Sequence, residues 1–144
     1  MHESYKARMY KCTQGYNTVG YGFNMDALAM PKEVAELWLS IEIEQCEKDC
    51  KKLFGEHWAE FSEPRQAVFV DMRFNLGSSG FRLFRCMRRA AKAGKWGRVA
   101  LEMQYVRGSL GDQENKWYQQ TGSRAKKLIK MILNDRWYYV DNRL

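Results

Sequence analysis

The chain is poor in the groups on which metal chemistry depends. It has only two His, His2 and His57, and two Pro in 144 residues. Cys46 and Cys50 stand four apart, as half of a metal site would, but no His or Cys pair of matching spacing completes it. No metal is therefore expected. There is no apolar run long enough to cross a bilayer, so stable membrane insertion is not expected either. No internal repeat or low-complexity block interrupts the chain, and no secretory leader is read at its start. That predicts synthesis in a reducing cytosol, with Cys12, Cys46, Cys50 and Cys86 as free thiols.

What is present is a hydrophobic fraction of 45%, enough for a true core in one domain. Aromatics reach 14%, and each of them either packs in that core or lines a groove for a flat or cyclic ligand. The formal charge is +7 and the isoelectric point about 9.3. A basic surface favours a polyanion: nucleic acid, an anionic membrane or an acidic cell-wall polymer. Charge by itself does not choose among them.

The N-terminal stretch from Tyr5 to Phe23 reads as a β-hairpin, with Gln14-Gly15 between extended runs at 6–11 and 16–21. Gly20 and Gly22 predict a bend after the second strand. Pro31 opens a long helical pattern through Val34, Leu37, Trp38, Ile41, Cys46, Cys50 and Leu53, with Gly55 as its stop. A second helix is expected after Ser62 as N-cap, running to Gly77 and buried on most sides. Shorter helices are expected over 81–93, 96–106 and 123–133, the last capped by Ser123. Gly108 to Asn115 reads as a surface loop, and the aromatic, polar 137–144 as a tail. The expected architecture is α+β: a small N-terminal β-hairpin lobe (1–30), a long connecting helix (31–55) and a larger helical lobe (56–144), with a cleft between lobes in a single domain.

Three side chains in the hairpin region make a candidate acid–base set. Glu3 precedes the hairpin, Cys12 sits beside its turn and Thr18 lies on the returning strand. Cleaving a glycosidic bond needs an acid on the leaving oxygen and a second group on the opposite face of the sugar, handling water or attacking. Each residue also has an ordinary reading: a solvated terminal Glu, an inert Cys beside a turn, a Thr chosen for β-propensity.

The runs His2-Glu3-Ser4-Tyr5-Lys6, Tyr10-Lys11-Cys12-Thr13-Gln14-Gly15 and Asn17-Thr18-Val19-Gly20-Tyr21-Gly22 resemble the active-site signature of phage lysozymes of the T-even type. That signature is a Glu, eight residues, an Asp or Cys, five residues and a Thr, which Glu3, Cys12 and Thr18 meet without a gap. Arg65-Gln66-Ala67, Phe74-Asn75-Leu76-Gly77, Gly80-Phe81, Trp96, Trp117-Tyr118-Gln119-Gln120-Thr121 and Ser123-Arg124-Ala125 follow in the family's order. The resemblance covers about residues 2–133. It implies Glu3 as general acid, Thr18 as the group that hydrogen-bonds the attacking water, and Cys12 in the place of an Asp. Cys12 then either helps polarise water, giving inversion, or attacks as thiolate, giving retention; the first is favoured here. It further implies Arg124 beside the catalytic Glu as a positioning group and Phe74 as an aromatic contact to glycan. Asn24, Phe84 and Glu102 fall at glycan-contacting positions with altered residue types.

Two features depart from the pattern. Only Met1 and His2 precede Glu3, where relatives have about two helical turns, and residues 107–115 look like an insertion that gates a groove, binds a partner or is simply tolerated. The resemblance implies a muramidase cutting the β-1,4 bond between N-acetylmuramic acid and N-acetylglucosamine, with no organic cofactor. The alternatives are a lytic transglycosylase and a catalytically impaired wall-binding protein. The expected partner is bacterial peptidoglycan, with no nucleic acid, and the expected state is a monomer. The expected location is the host bacterial cytoplasm, with release to the periplasm and cell wall at lysis.

Overall fold

A computed structural model describes residues 4–108 and 111–138. The architecture is α+β. Strands β1 (Lys6–Lys11), β2 (Asn17–Gly20) and β3 (Phe23–Asn24) precede the long helix α1 (Lys32–Phe54) and a 3-10 turn at Gly55–Glu60. Then come α2 (Glu63–Arg82), α3 (Arg85–Lys92), α4 (Trp96–Gln104), a hairpin of β4 (Tyr105–Gly108) and β5 (Gly111–Glu114), α5 (Lys116–Thr121) and α6 (Ser123–Asn134). Two compact units divide the chain, Met1–Ser40 and Ile41–Leu144, with the boundary inside α1.

The smaller unit is an antiparallel sheet in the order β1-β2-β3, with Tyr10 opposite Thr18 and Thr18 opposite Asn24. The hairpin expected from Gln14-Gly15 forms; Gly15 takes φ 82° and its N–H reaches the Cys12 carbonyl at 2.8 Å. A side chain at that φ would be strained, which is why the turn carries glycine. The bend at Gly20–Gly22 leads into the short third strand, which the sequence pattern did not announce. Asp26 clamps this end of the sheet, accepting the Asn17 backbone N–H and side-chain amide, both at 2.8 Å. Those two bonds hold its carboxyl below the usual carboxylate range.

Along α1 the apolar period holds throughout, but burial does not. Val34, Leu37 and Trp38 are exposed, whereas Cys46, Cys50 and Phe54 are fully buried. The larger unit has its core around Phe54, whose ring meets Trp58, Phe61, Phe69 and Phe81 at centroid distances of 5.8, 5.1, 4.6 and 6.4 Å. Helix α2 starts as the sequence predicts, with the Ser62 hydroxyl accepting from the Arg65 N–H. Gly77 breaks it at φ 73°, ψ 170°, and the helix then resumes as far as Arg82.

Several expected boundaries move. Phe81 belongs to the resumed end of α2 and is fully buried, and the next helix starts at Arg85 rather than 81. Helix α4 stops at Gln104, short of Val106, because Tyr105 turns extended at φ −121°, ψ 143°. The stretch from Gly108 to Asn115, expected as a loop, forms most of a hairpin with Tyr105 opposite Glu114 and Gly108 opposite Gly111. Asn115 closes its base. Its N–H meets the Gln104 carbonyl at 2.8 Å, its amide reaches the Met103 carbonyl, and its Oδ1 caps α5 through the Tyr118 N–H. Helix α6 is capped by Gly122 at φ 49° with no side-chain bond; Ser123 is its first helical residue, not its cap. Of the expected tail, Trp137 and Tyr138 are described and 139–144 lie outside the described residues.

Phe54→Ala should lower the unfolding free energy by about 3–5 kcal/mol, since it removes the ring on which four others pack. Leu37→Ala on the exposed half of α1 should stay within about 0.5 kcal/mol. Urea denaturation of both variants measures the contrast.

Candidate active site

The hairpin turn determines the surroundings of Cys12. Its backbone N–H donates to the Tyr16 carbonyl at 3.0 Å, which folds the turn back over the thiol. Partial burial pushes the thiol pKa up. The N–H groups of Gln14 and Tyr16, the Thr18 hydroxyl and the Gly15 N–H together outweigh that and hold it below its ordinary value. The two buried thiols behave in the opposite way: burial pushes Cys50 up to about 12 and also raises Cys46, against the pull of Arg73.

Thr18 is a buried polar residue of the sheet, 4% exposed, and its hydroxyl lies 3.0 Å from the Tyr16 carbonyl. One hydroxyl hydrogen thus has two acceptors within reach. The Tyr16 carbonyl takes it at 3.0 Å, and the same hydroxyl is among the groups that lower the Cys12 pKa. Asn24 faces Thr18 across β2–β3, and its Oδ1 takes the Asp26 N–H at 3.0 Å. The sheet therefore gathers Cys12, Thr18 and Asn24. Glu3 lies outside the described residues.

The remaining candidates are in the larger unit. Arg124, at the start of α6, makes a two-pronged bond to Asp71 of α2, Nε to Oδ1 at 3.0 Å and Nη2 to Oδ2 at 2.7 Å. Asp71 was not singled out in the sequence. Its one local signal is spacing: it stands three residues before Phe74, so the two share a face of α2. Phe74 itself is 43% exposed, as a ligand-contacting ring must be.

Phe84 and Glu102 line one cavity of about 570 Å³, together with Leu76, Met87, Tyr105 and Trp117. Phe84 meets Trp117 edge-on at 6.2 Å, and Arg98 holds the Glu102 carboxylate at 2.5 Å. The buried Trp117 Nε1 has no hydrogen-bond partner among the described residues. An unpaired buried donor costs about 1–3 kcal/mol. No group of three or more His, Cys, Asp or Glu among the described residues could hold a metal ion. No described helix is long and apolar enough to cross a membrane.

Compared with known proteins, residues 1–130 match the family model for phage lysozyme. The chain is also 25% identical over 160 residues to the pre-baseplate central spike protein Gp5 of Enterobacteria phage T4. That alignment covers 91% of this chain and 26% of the spike protein, so the chain spans about a quarter of that relative's length.

Because the folded state favours the Cys12 thiolate, its fraction persists to lower pH than in a free thiol. In a Cys86→Ser background, iodoacetamide labelling of Cys12 should show a midpoint below the ordinary value of about 8.5. Thr18→Val should move that midpoint up. Cys46 and Cys50 should label only in denaturant. A midpoint unaffected by Thr18→Val would remove the Thr18 hydroxyl from the account of this thiol.

Proposed function

This chain belongs to the phage lysozyme family, whose members are peptidoglycan-lytic glycosidases, and on that premise we propose that it is a muramidase. It hydrolyses the β-1,4 bond between N-acetylmuramic acid and N-acetylglucosamine. The reading is supported by the family match and by Cys12 and the buried Thr18 at one hairpin turn, where the Thr18 hydroxyl is among the groups that lower the thiol pKa. Such a pair is suited to holding a water molecule. Thr18 donates to or accepts from it, and the thiolate character of Cys12 draws its proton, while Glu3 protonates the leaving oxygen from the other face of the sugar. Water arriving on the face opposite the leaving group inverts the anomeric centre.

Arg124 acts on Glu3 as a positioning group in this reading. A bare guanidinium beside a general acid would work against it by favouring the carboxylate. The guanidinium is already engaged in a fork by Asp71. Phe74, Asn24, Phe84 and Glu102 contact glycan. The enzyme works as a monomer, made in the host cytoplasm and released to the wall at lysis.

Digestion of purified peptidoglycan tests the reading. Hydrolysis gives reducing muropeptides one water heavier than the anhydro products of a transglycosylase, and proton NMR should show the inverted anomer first. Glu3→Gln should lower the rate by about 10²–10⁴-fold, the usual contribution of a general acid. An anhydro product would replace hydrolysis by transglycosylation, first formation of the retained anomer would make Cys12 the nucleophile, and equal clearing by Glu3→Gln would end the assignment of the acid.

A further inference from the structure

The positive charge of this chain is concentrated in one place. From Met72 to Leu101 there is no Asp or Glu, and these thirty residues carry +8. The rest of the chain, with 16 basic and 17 acidic residues, carries −1, so the whole excess of +7 belongs to this stretch. It comprises the end of α2, all of α3 and the start of α4, within the larger unit.

Some of these cations are already used. Arg73 pairs with Asp49 at 2.6 Å and Arg98 with Glu102. Arg88 is half-buried and donates to the carbonyls of Phe81 and Arg82 at 3.1 and 2.8 Å. Arg85, Arg89, Lys92 and Lys95 are exposed, with no salt bridge to a carboxylate among the described residues. Burial first, and then Arg85 and Arg82, hold the pKa of Arg88 below its ordinary value. An exposed cationic face without carboxylate partners attracts a polyanion.

The other side of α3, Met87, Ala90 and Ala91, is packed into the core, so the helix is fixed with its basic side outward. Leu83 stands at the junction just before Arg85 and is 76% exposed, more than any other exposed large hydrophobic side chain described. Nucleic acid would use exposed aromatic rings here, but Phe84 is half-buried against Trp117 and Trp96 lies under Arg65. Leu83 and Arg85 also line the Phe84–Glu102 cavity, but Arg89, Lys92 and Lys95 do not, so a sugar chain held in that cavity leaves the basic face uncovered. A lipid surface uses both features, phosphates for the cations and the headgroup–acyl boundary for the leucine.

We propose that α3 and its flanks form a docking face for an anionic phospholipid surface, with Arg85, Arg89, Lys92 and Lys95 at headgroup level and Leu83 dipping beneath them. The contact is peripheral and weakens with salt, because it is mainly electrostatic.

Co-sedimentation of the full chain with vesicles of phosphatidylethanolamine and phosphatidylglycerol, against vesicles of phosphatidylcholine, tests this directly. Each basic side chain near an anionic leaflet contributes about five-fold in partition, so R89Q/K92Q/K95Q should bind the anionic vesicles roughly a hundred-fold less. The charge-matched K126Q/K127Q/K130Q on α6 should bind close to wild type. Leu83→Ser should weaken binding several-fold without altering its salt dependence. Circular dichroism checks that every variant is folded. Equal binding to phosphatidylcholine, or equal loss in the two triple variants, would overturn the proposal. So would binding of duplex DNA through Arg89, Lys92 and Lys95 without vesicle binding, or a parallel loss of activity on lipid-free wall in R89Q/K92Q/K95Q.

Discussion

The larger unit turns on the guanidinium of Arg65. Two of its N–H groups converge on the Ile132 carbonyl at 2.9 and 3.0 Å, a third nitrogen reaches Asp135 at 3.2 Å, and its flat face lies 4.1 Å from the Trp96 ring. The Ile132 carbonyl belongs to the last turn of α6, where carbonyls have no partner within the helix. Arg65 supplies one, and so joins the start of α2 to the end of α6 and the start of α4. Trp96 passes the constraint on, packing edge-on against Phe61 at 5.2 Å, which in turn meets Phe54. A lysine could reproduce the charge but neither the fork nor the stacking.

The smaller unit is organised differently. Most of β1 is exposed, and Thr18 is the buried residue of β2. What fixes the sheet is a set of polar contacts: the Asn17–Asp26 clamp, the Cys12–Tyr16 and Gly15–Cys12 backbone bonds, and the Thr18 hydroxyl on Tyr16. The proposed water-handling pair thus stands on a piece of backbone held by hydrogen bonds rather than by packing. The same turn residues, Gln14, Gly15 and Tyr16, together with Thr18, lower the Cys12 pKa against its burial.

Features with a short-range signature were legible in the sequence. Gln14-Gly15 marked the hairpin, Pro31 and Ser62 marked two helix starts, and Gly77 marked a break, although α2 resumes beyond it. The spacing of Cys12 and Thr18 placed them on one hairpin, where the structure joins them. What escaped was either short or distant. Helix α5 has six residues, too few to show a period, and its only clue was Asn115 as a cap. The β4–β5 hairpin is polar and glycine-containing, and so resembles a loop until its pairing is seen. Asp71 and Arg124 are 53 positions apart, and no periodicity links them. The exposed first half of α1 was equally hidden, since periodicity reports an apolar face but not whether anything covers it.

Asn115 gives the β4–β5 hairpin an unusual independence. Because the Asn115 N–H already meets the Gln104 carbonyl, the two ends of the hairpin are pinned side by side. The helices on either side are held by the Asn115 amide on Met103 and by its cap on α5, not by what the hairpin contains. Loop-closure entropy grows only slowly with length, so a lengthened or shortened insert perturbs the frame little. The strands Tyr105–Gly108 and Gly111–Glu114 are therefore attached to the helical frame through Asn115 at the wall of the Phe84–Glu102 cavity. Through Tyr105 and Val106 they lend that cavity part of its lining, so descendants of this chain could retune what the cavity accepts while the helical frame stays unchanged.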